Sequence, residues 1–140
     1  MIRTLLFGLS MSMSICASAS EAMIYVAAYQ CNAKAVNQDM VRSCSTAFPD
    51  LAAHANEAYK AWLARNSVKA DAAESACKQP ALPDASGDTQ NQVDKVRAMV
   101  VEVTKEIARN FQERIRKEGK STCDEALDQM QSGRALMDIQ

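Results

Sequence analysis

The 140-residue chain is predicted to be all-α, a single-domain antiparallel helical bundle of about four helices stapled by two disulfides, and three observations carry this. Beyond the first twenty residues it is rich in Ala, Lys, Glu, Gln and Met, which are good helix formers. There, Gly87, Gly119, Gly133, Pro49, Pro80 and Pro83 fall between apolar stripes of helical period rather than inside them. Cys31, Cys44, Cys77 and Cys123 make an even set for cross-linking.

That set is even only if the N-terminal segment is removed, and the segment has the anatomy of a signal peptide. Arg3 supplies a positive start, Thr4 to Ile15 an uncharged apolar stretch, and Ala17-Ser18-Ala19 the small residues a signal peptidase accepts. Cleavage is expected after Ala19, with Ala22 as second choice, so residues 1–19 are a cleavable signal peptide and 20–140 the helical extracytoplasmic domain. The apolar run falls short of the about 20 residues a bilayer span needs, so no stable membrane span is expected after cleavage. Cys16 leaves with the leader, and the bulky Ile15 before it argues against lipid attachment there.

A mature chain of about 120 residues makes one domain, small enough to benefit from covalent staples. Its charge is nearly balanced, with Lys+Arg 16 against Asp+Glu 17 over the whole chain, so nothing favours nucleic acid as a partner. A periplasmic or secreted location is oxidising, and the four cysteines read there as two disulfides. No redox C-x-x-C occurs, and the cysteine spacing with the single His54 fits no paired-ligand zinc pattern, so neither a metal site nor a cofactor is expected.

The first helix spans about Glu21 to Ala47, with an interruption expected near Asn37 to Asp39. Phe48-Pro49 ends it, because the residue before a proline avoids helical angles while proline suits the first turn of a new helix. The second helix follows on Leu51, Ala55, Ala58, Tyr59, Trp62, Ala73, Ala76 and Cys77, with a bend expected at Asn66-Ser67, where the stripe weakens. Gln79 to about Gln90 is loop chemistry. The third helix is the clearest, with Val93, Val96, Val100, Val103, Ile107, Phe111 and Ile115 at alternating three- and four-residue steps. Gly119 is placed for a left-handed C-cap. Ser121 or Thr122 then N-caps a last helix whose apolar face holds Cys123, Leu127, Met130, Leu136 and Met137.

Helix length constrains the disulfides, since two antiparallel helices of about 30 residues are roughly 45 Å long. Cys77 then lies at the opposite end from Cys123, which favours Cys44 with Cys123 and Cys31 with Cys77. The second pair sits unequally about the Phe48-Pro49 corner and calls for the bend near Asn66; a local Cys31 to Cys44 bond is the rival.

No catalytic constellation stands out. His54 lies on a helix with no nucleophile-elbow motif, there is no Gly-rich phosphate loop, and scattered carboxylates single out no pair. The charges of the third helix read as a solvated face paired as Glu102 with Lys105, Glu106 with Arg109 and Glu113 with Lys117. Phe48, Tyr59 and Trp62 read as aromatic core, or alternatively as a stacking platform for a ligand.

Cys31, Cys44 and the run Asn56-Glu57-Ala58-Tyr59, extending to Trp62 and Arg65, resemble the small exported helical domains of the lysozyme-inhibitor (LprI-like) type. The chain departs from that pattern in the early position of Trp62 and in the surroundings of Cys77. The corner and the Trp62 to Asn66 stretch are similar to uncharacterised exported helical proteins of Gram-negative bacteria. The resemblance implies a non-enzymatic inhibitor or immunity protein that binds an extracytoplasmic protein such as a cell-wall hydrolase. The competing expectation is a bundle holding a small ligand or metal. A face of the third helix left over from a four-helix core would also suit a homodimer.

Overall fold

The computed structural model describes residues 12–79, 87–134 and 138–139, with side chains from Ala22 onward. Four helices form: α1 (Ser12–Ala47), α2 (Ala52–Lys78), α3 (Gly87–Glu118) and α4 (Lys120–Ser132). A single 3-10 turn, Pro49–Leu51, joins α1 to α2 at the expected corner. Successive helices reverse direction, and α1 packs on both α2 and α3 while α4 lies mainly on α2. Leu136 and Met137, expected on the last apolar face, lie outside the described residues.

The irregular position in α1 is Asn32, not the Asn37 to Asp39 stretch. Asn37 keeps helical angles, and its Nδ2 donates to Ala33 O at 2.9 Å and to the Tyr29 hydroxyl at 2.8 Å, both on the same helix. Asn32 has φ −130° and ψ 18°, and its Nδ2 reaches Ala28 O and the Thr104 hydroxyl of α3, both at 3.1 Å. The side chain thereby ties the irregular position to α3.

The helix α2 runs through Asn66 and Ser67 without a break. Asn66 is 2% exposed; its Nδ2 donates to Trp62 O and to Asp138 Oδ1, and its Oδ1 accepts the Ile139 amide at 2.9 Å. With Arg65 on Asp138 and Lys69 on Ile139 O, this amide fastens the residues beyond α4 to α2. Asn66→Ala is expected to lower stability by about 1–3 kcal/mol, because the Ile139 amide loses its buried acceptor. Denaturant titration with hydrogen exchange at Ile139 measures this, and unchanged protection there would show that the segment is held by other contacts.

The third helix begins at Gly87, three residues before the expected end of the loop, with Asp88 in its first turn beside the positive end of the helix dipole. At Gly119, φ is +73° with ψ −145°, a combination favouring glycine though not the left-handed cap expected there. The turn is so tight that α4 starts at Lys120, and neither Ser121 nor Thr122 caps it; Thr122 instead bonds Glu118 at 3.0 Å.

Both disulfides take the favoured pairing, Cys31–Cys77 and Cys44–Cys123. Packing divides the bundle into two tiers. The lower tier holds the large buried side chains Trp62, Leu127, Met130, Phe111 and Leu51 around the fully buried Cys44–Cys123 bond. The upper tier consists of α1 before Cys31, α2 after Asn66 and α3 before Thr104. Among its described residues only the small Ala28 and Ala70 are buried. The cause is length: α4 has 13 residues against 27 in α2 and 32 in α3, so it covers only the lower tier.

Candidate functional site

The aromatic residues belong to the lower core. Tyr59 and Trp62 stack with ring centroids 6.2 Å apart, and Trp62 has no exposed surface, so the cluster offers no open platform for a ligand. Trp62 and Asn37 both donate to the Tyr29 hydroxyl. Burial nevertheless dominates and pushes that hydroxyl up to about 12, with Asp138 adding to the rise. An unfolded tyrosine loses its proton near pH 10, so this group's contribution to stability is full below pH 10. It falls as pH rises from 10 to 12, by about 2–3 kcal/mol. Urea titrations at pH 8 and pH 12 are expected to show that fall in the natural chain and a smaller one in Tyr29→Phe. Equal losses would remove Tyr29 as its source.

His54 meets Gln131 Oε1 at 3.1 Å and Asp128 Oδ1 at 3.5 Å, linking α2 to α4. On α3, Glu102 pairs with Lys105 as expected, but Glu113 pairs with Arg116 rather than Lys117. Arg114 bridges Glu118 and Glu125, which lowers the Glu118 carboxyl and raises the guanidinium. Lys120 likewise ties the start of α4 to Asp50 at 2.5 Å and holds that carboxyl below its usual range. Among the described residues no group of three or more His, Cys, Asp or Glu side chains is placed to hold a metal ion. The expected disulfide residues Cys31, Cys77, Cys44 and Cys123 all stand in S–S bonds.

A groove of about 770 Å³ opens in the upper tier, between α1, the end of α2 and the first half of α3. Its floor is Ala27 and Cys31, and its far wall is Val93, Val96, Val100 and Val101. Cys77 closes the near side, while Glu74, Lys78, Gln79 and Arg97 stand at the rim. Glu74 pairs with Lys78 at 2.5 Å, and Arg97 donates to Gln79 O, so the rim's charges are largely satisfied within the chain. Val96 and Val101 are 57% and 51% exposed, and Met23, Val26 and Met99 extend the apolar surface around the same end of the bundle. An exposed apolar patch of this kind, rimmed by polar residues, marks a binding surface more often than an accident of packing.

Val93, Val96 and Val100 of this wall belong to the apolar stripe of the third helix that the sequence shows, while Val101 does not. What leaves the groove open is the shortness of α4, and the sequence signal for that is Gly133, which ends α4 in the left-handed conformation at φ 69°, ψ 37°. Among the described residues, no helix is long and apolar enough to cross a membrane. Compared with protein families, curated proteins and solved structures, the chain matches none.

Proposed function

We propose that the chain is a non-enzymatic protein-binding domain exported from the cytoplasm, and that the upper-tier groove is its binding face. The supporting observation is the exposed valine wall on α3, where α4 stops short and leaves an apolar trough of helix-lining residues. Such a trough suits an amphipathic segment of a partner laid along it, apolar side inward. Two disulfides and a leader ending at Ala19 support a periplasmic or secreted location. In that compartment a hydrolase of the cell wall is the partner class that the lysozyme-inhibitor resemblance implies.

The test is crosslinking and affinity capture from periplasm with the mature chain and with Val100→Arg, which sets a charge in the trough. A partner captured by the natural chain and lost at least tenfold in the variant supports the reading. No reproducible partner, or capture indifferent to Val100→Arg, overturns it. A mass beginning at Ser20 would establish cleavage after Ala19. A dimeric mass by light scattering that becomes monomeric in Val100→Arg would assign the face to a second copy of the chain.

A second reading is favoured by the size and lining of the groove, which fall within the range of small-molecule pockets of roughly 300–1,000 Å³ lined mainly by apolar side chains. Thermal stabilisation of the natural chain by a small apolar compound, absent in Val100→Arg, would promote it.

A further inference from the structure

The two disulfides differ in where they stand. Cys44 and Cys123 are 0% exposed, sealed between Trp62, Leu127 and their neighbours in the lower tier. Cys31 and Cys77 are only partly buried, and both line the groove, so a dissolved thiol can approach them. Thiol–disulfide exchange requires access of a thiolate to one sulfur along the S–S axis, and burial therefore protects one bond and not the other.

The accessible bond also sits at a mechanical joint. Cys31 immediately precedes Asn32, where α1 leaves helical angles. Within the arm before that joint Tyr29 is anchored through its hydroxyl to Asn37 and Trp62, but of the described side chains ahead of it only Ala28 is fully buried, while Met23, Tyr25 and Val26 are exposed. The segment it faces, from Gly87 to Val103 of α3, contains no buried residue. Regions with few buried apolar contacts open at low cost, and here a covalent link supplies what packing does not.

From these observations we infer that Cys31–Cys77 is a thiol-exchangeable clamp on the groove. The inference rests on the reading of that groove as the binding face. A dithiol of the oxidoreductase class attacks one of the two sulfurs through its thiolate, forming a mixed disulfide and releasing the other cysteine as a thiol. Its second thiolate then displaces the remaining cysteine. The reductant leaves as its own disulfide, two electrons and two protons pass to Cys31 and Cys77, and the S–S bond is gone. The arm of α1 ahead of Tyr29 then loosens from the end of α2, and the Ala27 part of the groove's floor goes with it. The lower tier, with Cys44–Cys123 intact, stays folded.

The experiment is graded reduction of the folded, mature protein with dithiothreitol, quenched by iodoacetamide and read by peptide mass spectrometry. It is paired with hydrogen exchange on the partly reduced protein. Cys31 and Cys77 are expected to become alkylated at least ten times faster than Cys44 and Cys123. Exchange should rise over residues 22–28 and 87–103 and stay unchanged over 44–66 and 111–130. Cys31→Ser/Cys77→Ser is expected to reproduce the exchange pattern without reductant; should that variant fail to fold, the natural chain still decides through its reduction order. Equal reduction rates, earlier loss of Cys44–Cys123, or unchanged exchange in the arm would each overturn the clamp. Neither readout involves a partner, so failure here leaves the binding face to be judged by capture with Val100→Arg, and failure of that capture leaves the redox behaviour measured.

Discussion

Trp62→Ala is expected to remove about 3–5 kcal/mol of stability, enough to unfold a large fraction of a domain whose total lies within the usual range of roughly 5–15 kcal/mol. The indole has no exposed surface and lies within the cluster formed by Ala58, Leu127, Met130 and Cys44. Its removal leaves a cavity that the neighbouring backbones, fixed by the buried disulfide, can fill only in part. It also takes away one of the two donors to the Tyr29 hydroxyl. Trp62→Phe keeps most of the apolar volume and is expected to lose about half as much. Denaturant midpoints for the two variants measure the difference, and a loss below about 1 kcal/mol in Trp62→Ala would mean that the ring is not enclosed as described.

Removing the buried staple is the other large effect. In Cys44→Ala/Cys123→Ala, a cross-link between residues 79 apart disappears, and chain entropy alone predicts a loss of about 4–5 kcal/mol. The same argument gives the 46-residue separation of Cys31 and Cys77 a value within about 0.5 kcal/mol of that. Loop length therefore hardly separates the two bonds; location does. Loss of Cys44–Cys123 acts where Trp62, Leu127 and Met130 pack, so the whole transition should move down in denaturant. Loss of Cys31–Cys77 should instead add an early, shallow phase from the upper tier. Indistinguishable unfolding curves for the two double variants would contradict the division into tiers.

Several of these features are legible in residue order. The Phe48-Pro49 corner follows from proline's fixed backbone, and the α3 stripe from its periodicity. The disulfide pairing follows from asking which cysteines share an end of a helix pair. The asparagines are where such reading fails. Asn37 and Asn66 look like weak points in their helices and are in fact integral to them, because their partners are Tyr29, about two turns back on the same helix, and Asp138, which only the folded chain brings to α2. Asn32 gave no warning, since the partner it finds outside its own helix, Thr104, is 72 residues away. The groove was illegible for another reason: the valines of α3 carry the same pattern whether or not something covers them, and coverage is decided by the relative lengths of α3 and α4.

That relation places unusual weight on Gly133. The last helix runs alongside the first half of α2, with Lys120 at Asp50 and the Met130 carbonyl at Arg65, so its axis points toward the upper tier. Gly133, with its positive φ, turns the chain off that axis. A glycine that touches none of the groove's lining valines thus acts as a ruler, metering how much of the bundle is left unfilled. Chains that keep the four cysteines but shift this glycine two turns later would be expected to have filled their own trough and to have given up whatever docks there.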